Sequence, residues 1–159
     1  MIKVGDKVPA AKLKSRSHGE TKDLSTDDIF AGKTVALFSV PGAFTPTCSA
    51  KHLPGYVQHA DELRAKGVQT IACLAVNDAF VMEAWGKDQK VGDKVLMLAD
   101  GSGDFAKALG LELDLVANGM GVRSKRFSML VVDGVVKTLN VEKPGAFEIS
   151  DAATMLKQV

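Results

Sequence analysis

The residue best placed for chemistry is a cysteine. In "SVPGAFTPTCSAKHLPG", residues 39–55, Cys48 follows Pro41 and Thr45 directly after a strand-like apolar run. Thr45-Pro46 reads as a helix N-cap followed by proline at the first helical position. Cys48 then falls in the first helical turn, where backbone N–H groups lack helical partners and the helix dipole is positive. That setting favours the thiolate, the nucleophilic form of cysteine. Pro54 predicts a break or kink, which would make this first helical stretch short and separately oriented. A lone cysteine is more often a small buried hydrophobe. The cap, the proline and the position beyond the carboxyl end of a strand favour a reactive thiol here.

Cys73 differs. It lies in "TIACLAV", apolar on every side, which predicts a buried structural thiol. Two cysteines make no disulfide framework, CxxC pair or zinc site, and His18, His52 and His59 stand at no useful ligand spacing. No metal and no cofactor are expected. Free thiols suit a reducing compartment, so a cytoplasmic location is expected, or an organelle if a targeting segment has been removed.

Two other motifs compete for a function. "GSGDFA", residues 101–106, matches a dinucleotide fingerprint. Asp104, however, puts a carboxylate where a pyrophosphate would sit, and a turn leading into an Asp-capped helix is the better reading. "RSKR", residues 123–126, is too short a basic run to argue for nucleic acid. Within it, Arg126 immediately precedes the strand 127–132 and is expected to face the Cys48 loop, whereas Arg123 pairs with a carboxylate or with solvent.

The elements that position these residues follow from patterning. Apolar runs at 34–40, 68–76, 95–99 and 127–132 have the length of buried strands. Tyr56, Val57, Ala60 and Leu63 form the apolar stripe of a helix that ends at Gly67. A second helix starts near Asp78 with Phe80, Val81, Ala84 and Trp85 inward, and a short third covers 104–110. Asp133-Gly134 predicts a tight hairpin between two strands. The sheet is therefore expected to be mixed, parallel first and antiparallel at the end, with a small N-terminal hairpin and a C-terminal helix over 150–157. If strand 127–132 runs antiparallel to 34–40, its start lies beside the Cys48 loop, which is what brings Arg126 there. Fold class is α/β: a thioredoxin-like sandwich, its central mixed sheet flanked by helices, with residues 1–159 forming one domain.

Composition excludes several functions. The chain has 159 residues, 46% hydrophobic and 25% charged, with a formal charge of +1. That balance gives no pull toward nucleic acid or a membrane surface, and no apolar run approaches the ~20 residues that span a bilayer.

"PGAFTPTC" resembles the active-site loop of peroxiredoxins, P-x-x-x-T-x-x-C. "ACLAVNDAFVMEAWG" and "RFSMLVVDGVVKTLNV" resemble the type II, or peroxiredoxin-five, branch of that family. The resemblance implies a thiol-dependent peroxidase that reduces hydrogen peroxide and alkyl hydroperoxides. It implies Cys48 as peroxidatic cysteine, Thr45 as the hydroxyl that hydrogen-bonds peroxide, Pro41 as a shield and Arg126 as the active-site arginine. It also implies a homodimer packed edge to edge. The tail "EKPGAFEISDAATMLKQV" carries no resolving cysteine, so the chain is more similar to members recycled by glutaredoxin and glutathione, or by thioredoxin directly.

The chemistry sets a requirement on the site. An ordinary cysteine at pH 7 is a few per cent thiolate, so complete ionisation gains about thirty-fold, roughly 2 kcal/mol. Lowering the pKa also softens the nucleophile. The larger contribution must stabilise charge on oxygen as the O–O bond breaks, a task for Arg126, Thr45 and the loop amides. A redox sensor or relay would use the same cysteine. A cysteine hydrolase would need a histidine base, and His52, one turn along from Cys48, is expected to point away.

Overall fold

A computed structural model describes residues 1–159. The chain runs β1 (Lys12–Ser17), β2 (Glu20–Ser25), α1 (Thr26–Phe30), β3 (Thr34–Ser39), a π-helical turn (Cys48–His52), α2 (Leu53–Gln58), α3 (Ala60–Ala65) and β4 (Thr70–Ala75). It continues with α4 (Ala79–Asp88), β5 (Leu96–Ala99), α5 (Asp104–Leu109), β6 (Glu112–Leu115), a 3₁₀ turn, β7 (Gly121–Ser124), β8 (Phe127–Val132), β9 (Val135–Val141) and α6 (Ala152–Gln158).

Seven strands form one sheet in the order β2-β1-β5-β4-β3-β8-β9, and β6 and β7 form a separate two-stranded ribbon. As the apolar runs imply, β3, β4 and β5 are parallel, while β8 is antiparallel to β3 and β9 to β8. The Asp133-Gly134 hairpin forms as expected, both residues taking the positive φ, 48° and 77°, that a tight two-residue turn requires. The N-terminal hairpin is present too, as β1 and β2.

Successive side chains in the central strands enter opposite cores, which is why these strands read as unbroken apolar runs. Ala36, Phe38, Ile71 and Cys73 join Tyr56, Leu63, Trp85 and Met155 on the face covered by α2, α3, α4 and α6. Val35, Leu37, Ala72 and Leu74 pack with Phe30, Phe105 and Leu109 on the face covered by α1 and α5. Sheet and two helical layers together make the thioredoxin-like fold expected.

Some expectations need correction. The inward face of α4 is Ala79, Met82, Trp85 and Gly86, and Phe80 is 65% exposed. The helix is rotated toward its glycine: a Cβ on Gly86 would stand 3.1 Å from Met97 Cγ, so the glycine lets α4 approach β5 closely. Phe80 instead lies beneath the Arg16 guanidinium, 4.8 Å from its ring centre. The α1 helix, started by a Ser25–Asp28 capping box, and the β6–β7 ribbon are additions to the expected elements. Both are short, five residues for α1 and four for each strand of the ribbon.

Candidate active site

After β3 the chain turns at Pro41, and the loop is pinned where Ala43 N–H donates to Asn77 Oδ1 (2.9 Å). Thr45 is the N-cap as expected: its carbonyl accepts the first helical bond, from Ser49 N–H (2.9 Å). The amides of Thr47 and Cys48 have no partner within the protein and sit in the first turn.

Pro54 does not separate this turn from α2. Leu53 N–H reaches back five residues to the Cys48 carbonyl, making a π-helical turn that runs directly into α2. In a regular helix the Pro54 ring would press on the carbonyl four residues earlier and supply no N–H to it. The widened turn relieves that conflict, and π-turns often mark functional sites.

Cys48 is fully buried, yet its sulfur is not surrounded by hydrocarbon alone. Thr45 Oγ1 lies 2.8 Å from Sγ and Arg126 Nη2 donates to Sγ at 3.0 Å. Thr45 Oγ1 also lies 2.7 Å from the Gly42 carbonyl. Carrying one hydrogen, this hydroxyl can donate to Gly42 and face the sulfur with a lone pair, or donate to the sulfur instead. It is engaged there rather than as a side-chain cap on the helix amides.

Strand register delivers Arg126. Ser39 at the end of β3 stands opposite Phe127 at the start of β8, so the preceding residue projects beside the loop that leaves β3. Arg126 Nη1 donates to His52 Nδ1 (2.7 Å), and His52 Nε2–H donates to the Ser150 carbonyl (3.0 Å). These bonds require neutral imidazole with its proton on Nε2. Burial, reinforced by the neighbouring Arg126 charge, lowers the His52 pKa to about 3. The Phe147 ring lies 4.9 Å from the His52 ring and 5.7 Å from the guanidinium.

Beyond His52, Glu142 Oε2 accepts from the amides of Glu148 (2.8 Å), Ile149 (2.9 Å) and Ser150 (2.8 Å) and from Ser150 Oγ (2.7 Å). Burial pushes this carboxyl up, but its bonds to the Ser150 side chain and the three amides outweigh that and hold it below the usual carboxylate range.

Cys48, Thr45 and Arg126 thus converge as the sequence implied. Pro41 lines a small cavity of about 100 Å³ with Thr47 and Arg126. Arg123 pairs with neither carboxylate nor solvent alone: its Nε donates to the Met120 carbonyl (2.8 Å), and its Nη1 stands 3.2 Å from where a Cβ on Gly42 would be.

His52 points into the arginine rather than away from the site, a placement that helical spacing could not show because the turn is π. Its partner is Arg126, so it is not arranged as the base a hydrolase needs. "GSGDFA" is closed by its own protein. The buried Asp100 carboxylate accepts from the amides of Phe105 (3.1 Å) and Ala106 (2.9 Å), occupying the helix terminus a pyrophosphate would use; the cap is Asp100 and not Asp104. Cys73, opposite Phe38 on β4, is buried, and burial pushes its thiol pKa up.

Comparison with known proteins gives a consistent picture. The Redoxin family model matches residues 3–156. The chain is 54% identical to peroxiredoxin-2E, chloroplastic, of Arabidopsis thaliana, over 98% of this chain and 68% of that one. It is 49% identical to peroxiredoxin-2B of the same plant, over 98% and 97% of the two chains. Among solved structures, reduced Prx3 of Vibrio vulnificus in complex with hydrogen peroxide superposes with a TM-score of 0.95 at 52% identity, covering 99% of this chain and 98% of that one. Peroxiredoxin 5 of Alvinella pompejana gives 0.89 at 37% identity over 99% and 97% of the chains. With family model, relatives and site in agreement, the chain belongs to the redoxin family and within it to the type II peroxiredoxins, thiol-dependent peroxidases that work through a peroxidatic cysteine.

Proposed function

We propose that Cys48 is that peroxidatic cysteine, with Thr45 and Arg126 as its catalytic partners and Pro41 as part of the wall that limits water. The observation carrying this is the pair of polar groups on one sulfur, Thr45 Oγ1 at 2.8 Å and Arg126 Nη2 at 3.0 Å. The thiolate attacks one oxygen of ROOH, an S–O bond forms and the O–O bond breaks. The products are Cys48 sulfenic acid and RO⁻, which takes a proton to leave as alcohol or, for hydrogen peroxide, water. Arg126 donates to sulfur and oxygen while charge moves between them, and it keeps its proton throughout. The free amides of Thr47 and Cys48 offer further donors to oxygen. Thr45 can accept the peroxide proton while donating to Gly42.

An external thiol then condenses with the sulfenic acid, releasing water and leaving a mixed disulfide that a second thiol reduces. We assign that role to glutaredoxin with glutathione, or to thioredoxin. Cys73 does not serve it, because its thiol is buried and poorly ionised. Phe44, Phe80, Val116 and Val122 are exposed large apolar residues, and exposed apolar surface of this kind supports a homodimer. Residues 1–159 act as one domain in a reducing compartment, cytoplasm or organelle; no helix is long and apolar enough to cross a membrane. The test is peroxide consumption with each donor in turn, for wild type and Cys48→Ser. Turnover with one donor and none in the variant is expected; appreciable turnover by Cys48→Ser removes the assignment.

A further inference from the structure

We propose that Glu142, which does not touch the sulfur, is a positioning residue for the peroxide chemistry, acting on Arg126 through Ser150 and His52. The proposal rests on the role given above to Cys48 and Arg126. An arginine side chain has much rotamer freedom, so holding one nitrogen on a sulfur requires that another be fixed. His52 does this at 2.7 Å. The partner's neutrality matters. A carboxylate there would form a paired salt bridge and draw the guanidinium charge away from sulfur and peroxide. Neutral imidazole takes one hydrogen bond and leaves that charge available.

His52 is aimed in turn by the Ser150 carbonyl, which accepts from His52 Nε2–H (3.0 Å) and from the Tyr56 hydroxyl (3.0 Å). Ser150 is held because its amide and hydroxyl both donate to Glu142 Oε2, at 2.8 and 2.7 Å. Glu142 N–H donates to the Arg126 carbonyl (3.0 Å). The chain of contacts therefore closes on itself, from the main chain of Arg126 through Glu142, Ser150 and His52 to its own guanidinium. Phe147, inside the segment that Glu142 clasps, packs on His52 and beside Arg126. Loosening the clasp releases the aim of the imidazole and then of the arginine.

The experiment compares two rates for Cys48, oxidation by hydrogen peroxide and alkylation by iodoacetamide, in Glu142→Gln, His52→Phe, His52→Gln and Arg126→Ala. Glu142→Gln should slow oxidation about five- to twentyfold, the usual size of a transmitted effect, while alkylation changes less than about twofold. His52→Phe should lose more, and His52→Gln, which keeps an acceptor and a donor, should recover part of the loss. On an Arg126→Ala background Glu142→Gln should have no further effect on oxidation. A wild-type oxidation rate in Glu142→Gln, an equal loss on both backgrounds, or a parallel fall in alkylation each overturns the proposal. Ser150→Ala, which deletes only the hydroxyl bond to Glu142, gives the same reading in smaller measure should Glu142→Gln not fold. If Arg126→Ala itself oxidises at the wild-type rate, the fault lies with the role given to Arg126; if it is slow and Glu142→Gln is not, only the relay fails.

Discussion

Arg126 Nη2 lies 3.0 Å from Cys48 Sγ although 78 residues separate them along the chain. The contact depends on the antiparallel pairing of β3 with β8, which sets Ser39 opposite Phe127 and carries the arginine to the loop after β3. Sheet register thus decides whether a guanidinium meets the sulfur. A slip of one residue would turn the side chain to the other face.

Thr45→Val keeps the shape of the side chain and removes the hydroxyl that lies 2.8 Å from Sγ. Oxidation by hydrogen peroxide should slow about 100-fold, as expected for loss of a group that holds and moves a proton. Thr45→Ser should keep most of the rate. Stopped-flow measurement of both variants checks this; a Val variant within about twofold of wild type would remove Thr45 from the mechanism.

His52 supplies a pH dependence of stability. Its pKa is about 3 in the folded chain against an ordinary 6.5. Between those values the unfolded chain binds a proton that the folded chain refuses, so stability is complete above pH 6.5 and is lost as pH falls toward 3. The slope from this one group reaches about 1.4 kcal/mol per pH unit. The depressed Glu142 carboxyl acts in the same direction, but below its ordinary 4.5. Urea unfolding of wild type and His52→Gln at about pH 5 and about pH 6.5 isolates the histidine. The wild type should weaken on acidification and the variant much less.

Asp100 caps α5 through the amides of Phe105 and Ala106. Asp100→Ala leaves those buried groups unpartnered and should cost about 1–3 kcal/mol, lowering the thermal midpoint by several degrees while peroxide turnover at room temperature persists. Calorimetry with a dinucleotide should show no binding to the wild-type chain. Tight binding would mean that Asp100 yields its place to phosphate.

One equivalent of peroxide should leave Cys48 as a sulfenic acid, trapped by an external thiol, with Cys73 reduced. Mass spectrometry of the digested protein reads this directly. A 48–73 disulfide as the main product would make Cys73 a resolving cysteine despite its burial.

Much of the site is legible in the sequence because its signals are local or come from strand order. Thr45-Pro46 marks the helix start that holds Cys48, and the Asp133-Gly134 hairpin implies the antiparallel β8 that carries Arg126. Spacing arguments misplace His52 because they assume about 3.6 residues per turn, and Pro54 imposes a π-turn instead. Glu142 and Ser150 give no signal: one carboxylate gathering three amides and a hydroxyl depends on the path of the 143–150 segment, which no periodicity encodes. Hydrophobicity alone places Phe80 inward, whereas Gly86 sets how α4 rolls against β5.

The proposed mechanism depends on Arg126 acting on the oxygens as their bond breaks and not only on the charge of the sulfur. The protein has a single tryptophan, Trp85, whose indole N–H donates to Ser49 Oγ (3.0 Å) beside Cys48. Its fluorescence offers a reporter for stopped-flow oxidation. In Arg126→Ala, oxidation by hydrogen peroxide should slow about 100- to 1,000-fold, while alkylation by iodoacetamide, corrected for pH, slows by less than about tenfold. Equal losses in the two reactions would mean that the arginine serves only the sulfur's charge, and would contradict the account.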